Sequence, residues 1–314
     1  MTPPAAKSLA RLAWFTVGWN IFVILWGAVV RATGSGAGCG AHWPTCNGEV
    51  IPLDPSVGTL IEYSHRLTSG VALLLVAFLL FQVRRHREAG HLARAWSAAS
   101  MVLILTEAAV GAGLVLFERV ATDTSIARGY WMSGHLVNTF LLLAALTLTA
   151  RFADAPFSAS RRDQGFLAAT FPAGGRGTAT LLAVLALLAT GISGAIAALG
   201  DTLFKASSLR EAIAQDFSSA SHIFLRIRIL HPVIALIGGA LVLVVAYRTI
   251  TSNPHRPKPR TRGLALAAMV VGQWFLGLTN LLLLAPTPLQ IAHLFLADLI
   301  WMTLILVMVD PGGS

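Results

Sequence analysis

The sequence predicts an all-α polytopic membrane protein in which eight transmembrane helices form two similar four-helix bundles. Three observations carry that prediction. Of 314 residues, 55% are hydrophobic and only 12% charged, and the mean hydropathy of +0.71 lies well above that of a soluble domain. Eight apolar runs reach the roughly 20 residues that a helix needs to cross hydrocarbon. The few polar residues inside those runs recur at a constant spacing between the two halves of the chain.

The runs lie near 12–30, 60–83, 95–117, 130–150, 179–199, 222–247, 263–284 and 289–309. Their apolar stretches are continuous and not alternating, which selects helices over a barrel, because only an intra-helical ladder satisfies such a backbone in lipid. The first run is too long for a cleaved signal peptide and has little chain before it for a transit peptide, so the N-terminus reads as mature. Residues 1–151 make the first four-helix half, 152–177 a Pro, Gly, Arg and Thr-rich linker, and 178–314 the second half. Within the loop before the sixth run, Leu209, Ile213 and Phe217 recur every four residues with Arg210, Glu211 and Asp216 between them, as in a short interfacial helix.

A formal charge of +9 would point to nucleic acid in a soluble chain. Here the placement of the cations excludes that partner. Lys7 and Arg11, then Arg84, Arg85, Arg87 and Arg94, then Arg151, Arg161, Arg162 and Arg176, then Arg248, Arg256, Lys258, Arg260 and Arg262 account for 15 of the 23 basic residues. All fall at alternate helix ends, and the positive-inside rule then puts both termini in the cytoplasm. Cys39, Cys46, Glu62, Arg119 and Lys205 face outward.

The second run opens on Glu62-Tyr63-Ser64-His65-Arg66. Ionisable groups are costly where hydrocarbon begins and mark a functional site. Glu62 shares a helical face with His65 at i+3 and with Arg66 at i+4. The same pattern returns in the second half: His65 maps to His231, Glu107 to Gln273 and Gly111 to Gly277, each at an offset of 166, and His135 maps to His293 at 158. A duplicated four-helix unit explains the register.

A lone intramembrane His usually serves packing; four at repeated positions read as ligands. Facing imidazoles on different helices suit a heme, whereas zinc needs further protein ligands that neither half offers. Arg66 and Arg228, with Arg31 and Arg226 nearby, are the cations that could pair with heme propionates, against the plainer reading of side chains that merely snorkel to the interface. Gly70, Gly111, Gly113, Gly238, Gly239 and Gly277 would allow close approach of a porphyrin or of another helix. His42, His86, His91, His222 and His255 lie in loops or at helix ends and are not iron ligands on this reading. Cys39 and Cys46 share one outer loop and read as a disulfide, either a staple or a redox pair.

Together, Arg31-Ala-Thr-Gly-Ser-Gly-Ala-Gly-Cys39, Trp43-Pro-Thr-Cys46-Asn-Gly48, Glu62-Tyr-Ser-His65-Arg66 and the intramembrane His135, His231 and His293 resemble the heme A synthase family of bacteria and mitochondria. The match runs over about residues 12 to 309. The resemblance implies an eight-helix fold of two similar halves, residing in a bacterial cytoplasmic membrane, that oxidises a ring methyl of heme O to the formyl group of heme A. It implies that His231 and His293 hold a resident heme b, that His65 and His135 surround the substrate heme, and that Glu62 and the cysteine pair belong to the reaction side. It also implies heme O synthase and a membrane electron acceptor as partners.

Three features depart from the family pattern. No second cysteine pair occurs in the second half, Glu107 stands where the family usually has Gln, and His42 stands where an acidic residue is common between the cysteines. The position equivalent to Glu62 in the second half is Arg228, so only the first half is expected to keep a carboxylate beside its His. A transmembrane diheme electron carrier of the quinol-oxidising kind is the alternative, and it leaves that carboxylate and the cysteines unexplained. An inverted-repeat transporter is excluded by the parallel halves and by the expected absence of broken helices at the midplane.

Overall fold

In a computed structural model of the chain, residues 3–156, 166–171 and 177–309 are described. Arg161, Arg162 and Arg176 of the expected cytoplasmic linker lie outside them. Among the described residues eight helical spans are long and apolar enough to cross a membrane, and the one β feature is an isolated bridge between Cys46 and Glu49. The first half contains α1 (Pro3–Ala32), α2 (Val57–His86), α3 (Leu92–Leu116) and α4 (Ile126–Ala153). A short α5 (Phe166–Thr170) follows. The second half contains α6 (Thr178–Leu203), α7 (Leu209–Phe217), α8 (Ile223–Arg228), α9 (Leu230–Thr251), α10 (Pro257–Leu282) and α11 (Thr287–Val309).

Local chemistry sets the helix ends. Ser56 and Ser125 cap α2 and α4 by accepting from the backbone N–H of Thr59 and Arg128, and Arg84, Arg85 and His86 complement the dipole at the far end of α2. The amphipathic α7 occupies the stretch expected to lie in the interface. Its Ser208 cap accepts from the Glu211 N–H, while the hydroxyl and backbone N–H of Ser207 hold the Glu211 carboxyl below the usual carboxylate range.

One helix departs from expectation. The sixth span is interrupted at Ile229, between α8 and α9. Pro232 is the cause: it has no N–H for the Arg228 carbonyl four residues back, and its ring crowds that carbonyl. The break sits near an end of the span and not at its middle, so it does not revive the transporter reading.

In the first half α1, α2, α3 and α4 each pack on the next and α4 returns to α1. In the second, α6 packs on α9, α9 on α10 and α10 on α11, whereas α11 meets α6 only slightly and leans instead on α4 and α1. α4 is therefore the central pillar, with 72% of its apolar window buried against 39% or less elsewhere. One apolar cluster joins Val17, Val76, Leu79, Leu143 and Leu146 of the first half to Trp301 and Ile305 of α11; another gathers Ala183, Val242, Leu266 and Leu304 within the second half. Trp301 stacks on Phe140 at 5.3 Å and donates its indole N–H to the Phe140 carbonyl at 2.7 Å, which fastens the halves together.

Candidate functional site

A single cavity of 1560 Å³ reaches into both halves and is lined by His65, His135, His231 and His293. That volume exceeds the about 300–1,000 Å³ of an ordinary small-molecule pocket. The five histidines set aside on sequence do not line it. His91 and His222 instead cap α3 and α8, accepting from the Ala93 and Phe224 N–H groups.

Each lining imidazole lies against a helical glycine of the preceding membrane span. A Cβ added at Gly27 would come 3.1 Å from the His65 ring, one at Gly194 3.0 Å from His231, one at Gly277 3.1 Å from His293 and one at Gly111 4.0 Å from His135. Gly27 and Gly194 were not singled out on sequence. The repeat offset carried the signal, since they are 167 apart where the histidines they face are 166 apart.

In the second half the His231 and His293 rings stand 6.4 Å apart at 80°. Ser193 hydrogen-bonds His231 Nδ1 at 3.0 Å, which leaves Nε2 to face the cavity. The Gln273 amide donates to the His293 carbonyl at 3.0 Å and lies 3.3 Å from the ring nitrogen Nε2. In the first half the residue equivalent to Gln273 is Glu107. Its carboxylate accepts from the Thr139 hydroxyl and from Asn138 Nδ2 at 2.5 Å, and it stands 3.4 Å from His135 Nδ1, beyond a well-formed hydrogen bond. No group of three or more His, Cys, Asp and Glu side chains converges among the described residues. Two imidazoles to a site suit a metal that brings its own equatorial ligands.

Glu62 lies on the same cavity, 3% exposed. One carboxylate oxygen accepts the Cys39 N–H at 2.8 Å and the other pairs with Arg66 at 2.5 Å. Arg66 in turn donates to the His42 and Thr45 carbonyls at 2.7 and 2.6 Å. Cys39 and Cys46 are bridged, so Glu62 and Arg66 fasten both ends of a disulfide loop to α2. Gly38 makes the closeness possible: a Cβ there would fall 2.5 Å from the Gly58 carbonyl carbon. Three of the five Arg66 N–H donors are committed to this loop.

The cation expected opposite it, Arg228, is also committed. It donates to Asp216 at 2.7 Å, to Asp201 at 2.8 Å and to the Ala212 carbonyl at 3.2 Å. Its two carboxylate partners come from α6 and α7, outside its own helix, and both lie on Arg228. Arg226 is exposed and away from the cavity. Arg31 and Arg128 line the cavity with neutral acceptors only. Arg31 reaches the Ala198 carbonyl at 2.8 Å, Thr202 at 2.7 Å and Gln290 at 2.6 Å, while Arg128 reaches the Ala121 and Asp123 carbonyls at 2.7 and 2.9 Å. Arg128 was missed on sequence, because nothing in the repeat marks it.

Residues 10–305 match the COX15-CtaA family, described as a cytochrome oxidase assembly protein. The chain belongs to that family. A Thermus thermophilus protein named protoheme IX farnesyltransferase is 46% identical over 304 residues, 96% of this chain and 48% of that protein. The chain thus spans about half the length of this relative. Proteins named heme A synthase match over shorter stretches: one from Alkalihalophilus pseudofirmus is 46% identical over 31% of this chain and 33% of its own length, and one from Shouchella clausii 37% identical over 45% and 46%. The matched stretch includes every residue that lines the histidine cavity.

Proposed function

We propose that the protein is a membrane-bound oxidoreductase that converts heme O to heme A by successive hydroxylations of one ring methyl to a geminal diol that loses water. The observation that carries the reading is one cavity lined by four histidines, two from each half, each ring facing a glycine and the two pairs in unlike polar surroundings. The family match and the relatives named heme A synthase support the same substrate class. Turning a methyl into a formyl group consumes one water and releases four protons and four electrons. A membrane electron acceptor is therefore a required partner.

His231 and His293 would hold a resident heme b. Two metal–imidazole bonds of about 2 Å each, together with the half-widths of two rings, come close to their 6.4 Å separation. The residues present fit the group. Bound there, heme b supplies a one-electron carrier beside the reacting centre. Ser193 fixes the His231 ring with Nε2 toward the cavity, and the glycines keep the walls back. His65 and His135 would flank the substrate heme, and Glu62 would accept protons released at the methyl. Arg66 and Arg228 remain propionate candidates only through the donors not spent on Glu62, Asp201 and Asp216. The disulfide of Cys39 and Cys46 sits one backbone N–H from Glu62, which supports a role for the loop on the reaction side.

The basic helix ends favour a bacterial cytoplasmic membrane with both termini in the cytoplasm and the histidines toward the outer face. The relative named for farnesylating protoheme IX supports heme O synthase as the supplier of substrate. The test is extraction and mass analysis of porphyrins after expression with and without a heme O source. Heme A or its hydroxylated precursor, appearing only with the source, is the expected result. Heme b alone under both conditions would overturn the reading in favour of a diheme electron carrier.

A further inference from the structure

The inner floor of the cavity differs between the halves at one position. In the first half Leu73, Ile104 and Leu142 line it, and their repeat equivalents Gly239, Val270 and Ile300 line it in the second. These pairs follow the same offsets of 166, 166 and 158 as the histidines and are apolar on both sides. The fourth pair is not. Asn20 of α1 lines the floor at the position where α6 has Leu187, at the offset of 167 that also relates Gly27 to Gly194.

Asn20 is 4% exposed. Its Nδ2 donates to the Thr16 carbonyl at 2.8 Å, which fixes the nitrogen end of the amide. Its Oδ1 makes no hydrogen bond among the described residues, although the side chain borders the cavity. An amide oxygen without a donor inside an apolar, membrane-embedded wall is costly until a ligand supplies one.

The position of Asn20 says which part of the ligand that is. It lies two turns before Gly27 on the same face of α1, so its backbone sits about 10 Å deeper in the membrane than the glycine against His65. A tetrapyrrole between His65 and His135 keeps its ionised acid groups toward the outer end, where charge is solvated, and turns the opposite edge to the floor. In heme O that edge carries the isoprenoid arm, with a hydroxyl on the carbon joined to the ring; heme b carries a vinyl group there. We infer that Asn20 is the residue that selects the substrate of the first half, its Oδ1 accepting a hydrogen bond from the hydroxyl of the isoprenoid arm. This rests on the heme O reading of the proposed function and adds how the cavity tells that substrate from heme b. A site built to bond a hydroxyl rejects an analogue without one, because the protein group is then left unpaired. Leu187 makes no such demand, which suits a half that would hold heme b.

The test uses the full chain purified in detergent with its resident heme, and two fluorescent probes: the zinc derivative of heme O and the same compound with the arm hydroxyl methylated. The wild type is expected to bind the free hydroxyl about tenfold more tightly, the scale of one hydrogen bond whose partner is otherwise left bare. Asn20→Leu, which copies the second half at nearly the same size, should erase that preference and leave the affinity for the ether unchanged. Asn20→Ser keeps an acceptor on a shorter arm and should retain part of the preference, and it provides the reading should the Leu variant fail to fold. A wild type that binds both probes equally would overturn the inference and leave the proposed function standing. So would an Asn20→Leu protein that keeps the full preference, which would trace it to the bulk of the methyl group, or one that loses both probes alike. A wild type that binds neither probe would sink both.

Discussion

The two halves hold their histidines alike and surround them differently. In both, the imidazole of the second span lies on a glycine of the first, and the imidazole of the fourth span lies on a glycine of the third. The polar neighbours differ. His135 faces the carboxylate of Glu107, and His293 faces the amide of Gln273. The α2 helix runs unbroken through Glu62 and is fastened to a disulfide loop, whereas its counterpart is broken at Ile229 and fastened through Arg228 to the amphipathic α7. The glycine contacts recur in both halves, while the polar groups beside the histidines do not.

The largest expected effect breaks the comparison at the histidines themselves. His231→Ala or His293→Ala should strip the purified protein of most of its heme b, by more than about tenfold, since even outer partners of a metal ligand are worth 10–100-fold. His65→Ala and His135→Ala should leave heme b in place and abolish heme A formation. Heme content by pyridine hemochrome and product by mass analysis separate the two results. Equal loss of heme b in all four variants would mean that the halves do not divide the work.

Glu62→Gln asks whether the first half is set apart by its carboxylate or only by its loop. The substitution keeps an acceptor for the Cys39 N–H at 2.8 Å and removes the charge that meets Arg66. If Glu62 handles protons, heme O conversion should fall by roughly 10²–10⁴-fold with heme b retained, and heme O or the singly hydroxylated product should accumulate. If Glu62 serves only to dock the loop, conversion should stay near normal while the loop becomes more open to proteolysis.

These contrasts were unequally visible in the sequence. The eight spans follow from apolar length alone, and the four histidines from their spacing. Gly27 and Gly194 could have been found by extending the same offset one helix earlier. Arg128 could not, because a basic residue at a helix start looks like any interfacial cation until its neighbours are known. Asp201 and Asp216 were hidden for a related reason: they meet Arg228 across three elements, and sequence spacing reports only neighbours on one helix. The interruption at Ile229 was readable from Pro232, four residues after Arg228, but the apolar run on both sides masked it.

The smallest expected effect tests whether the two halves grip their rings equally, and it sits in the glycines. At Gly111 an added methyl would meet His135 at 4.0 Å, an ordinary contact, and nothing else within that range. At Gly194 it would come within 3.0 Å of the His231 ring, which Ser193 already holds from the neighbouring position. Alanine favours a helix over glycine by about 1 kcal/mol. Gly111→Ala should therefore raise thermal stability slightly and leave the heme spectrum and turnover unchanged. Gly194→Ala should lose that gain, because the His231 ring must move by a few tenths of an ångström, and the moved ring should show as a shifted heme absorption band and a lower heme content. The methyl at Gly111 meets the ring that would flank the substrate, and the one at Gly194 meets a ring that would hold the resident heme. Identical spectra and stabilities for the two variants would mean that the second-half ring has as much room as the first, and that the tight glycine contact plays no part in holding it.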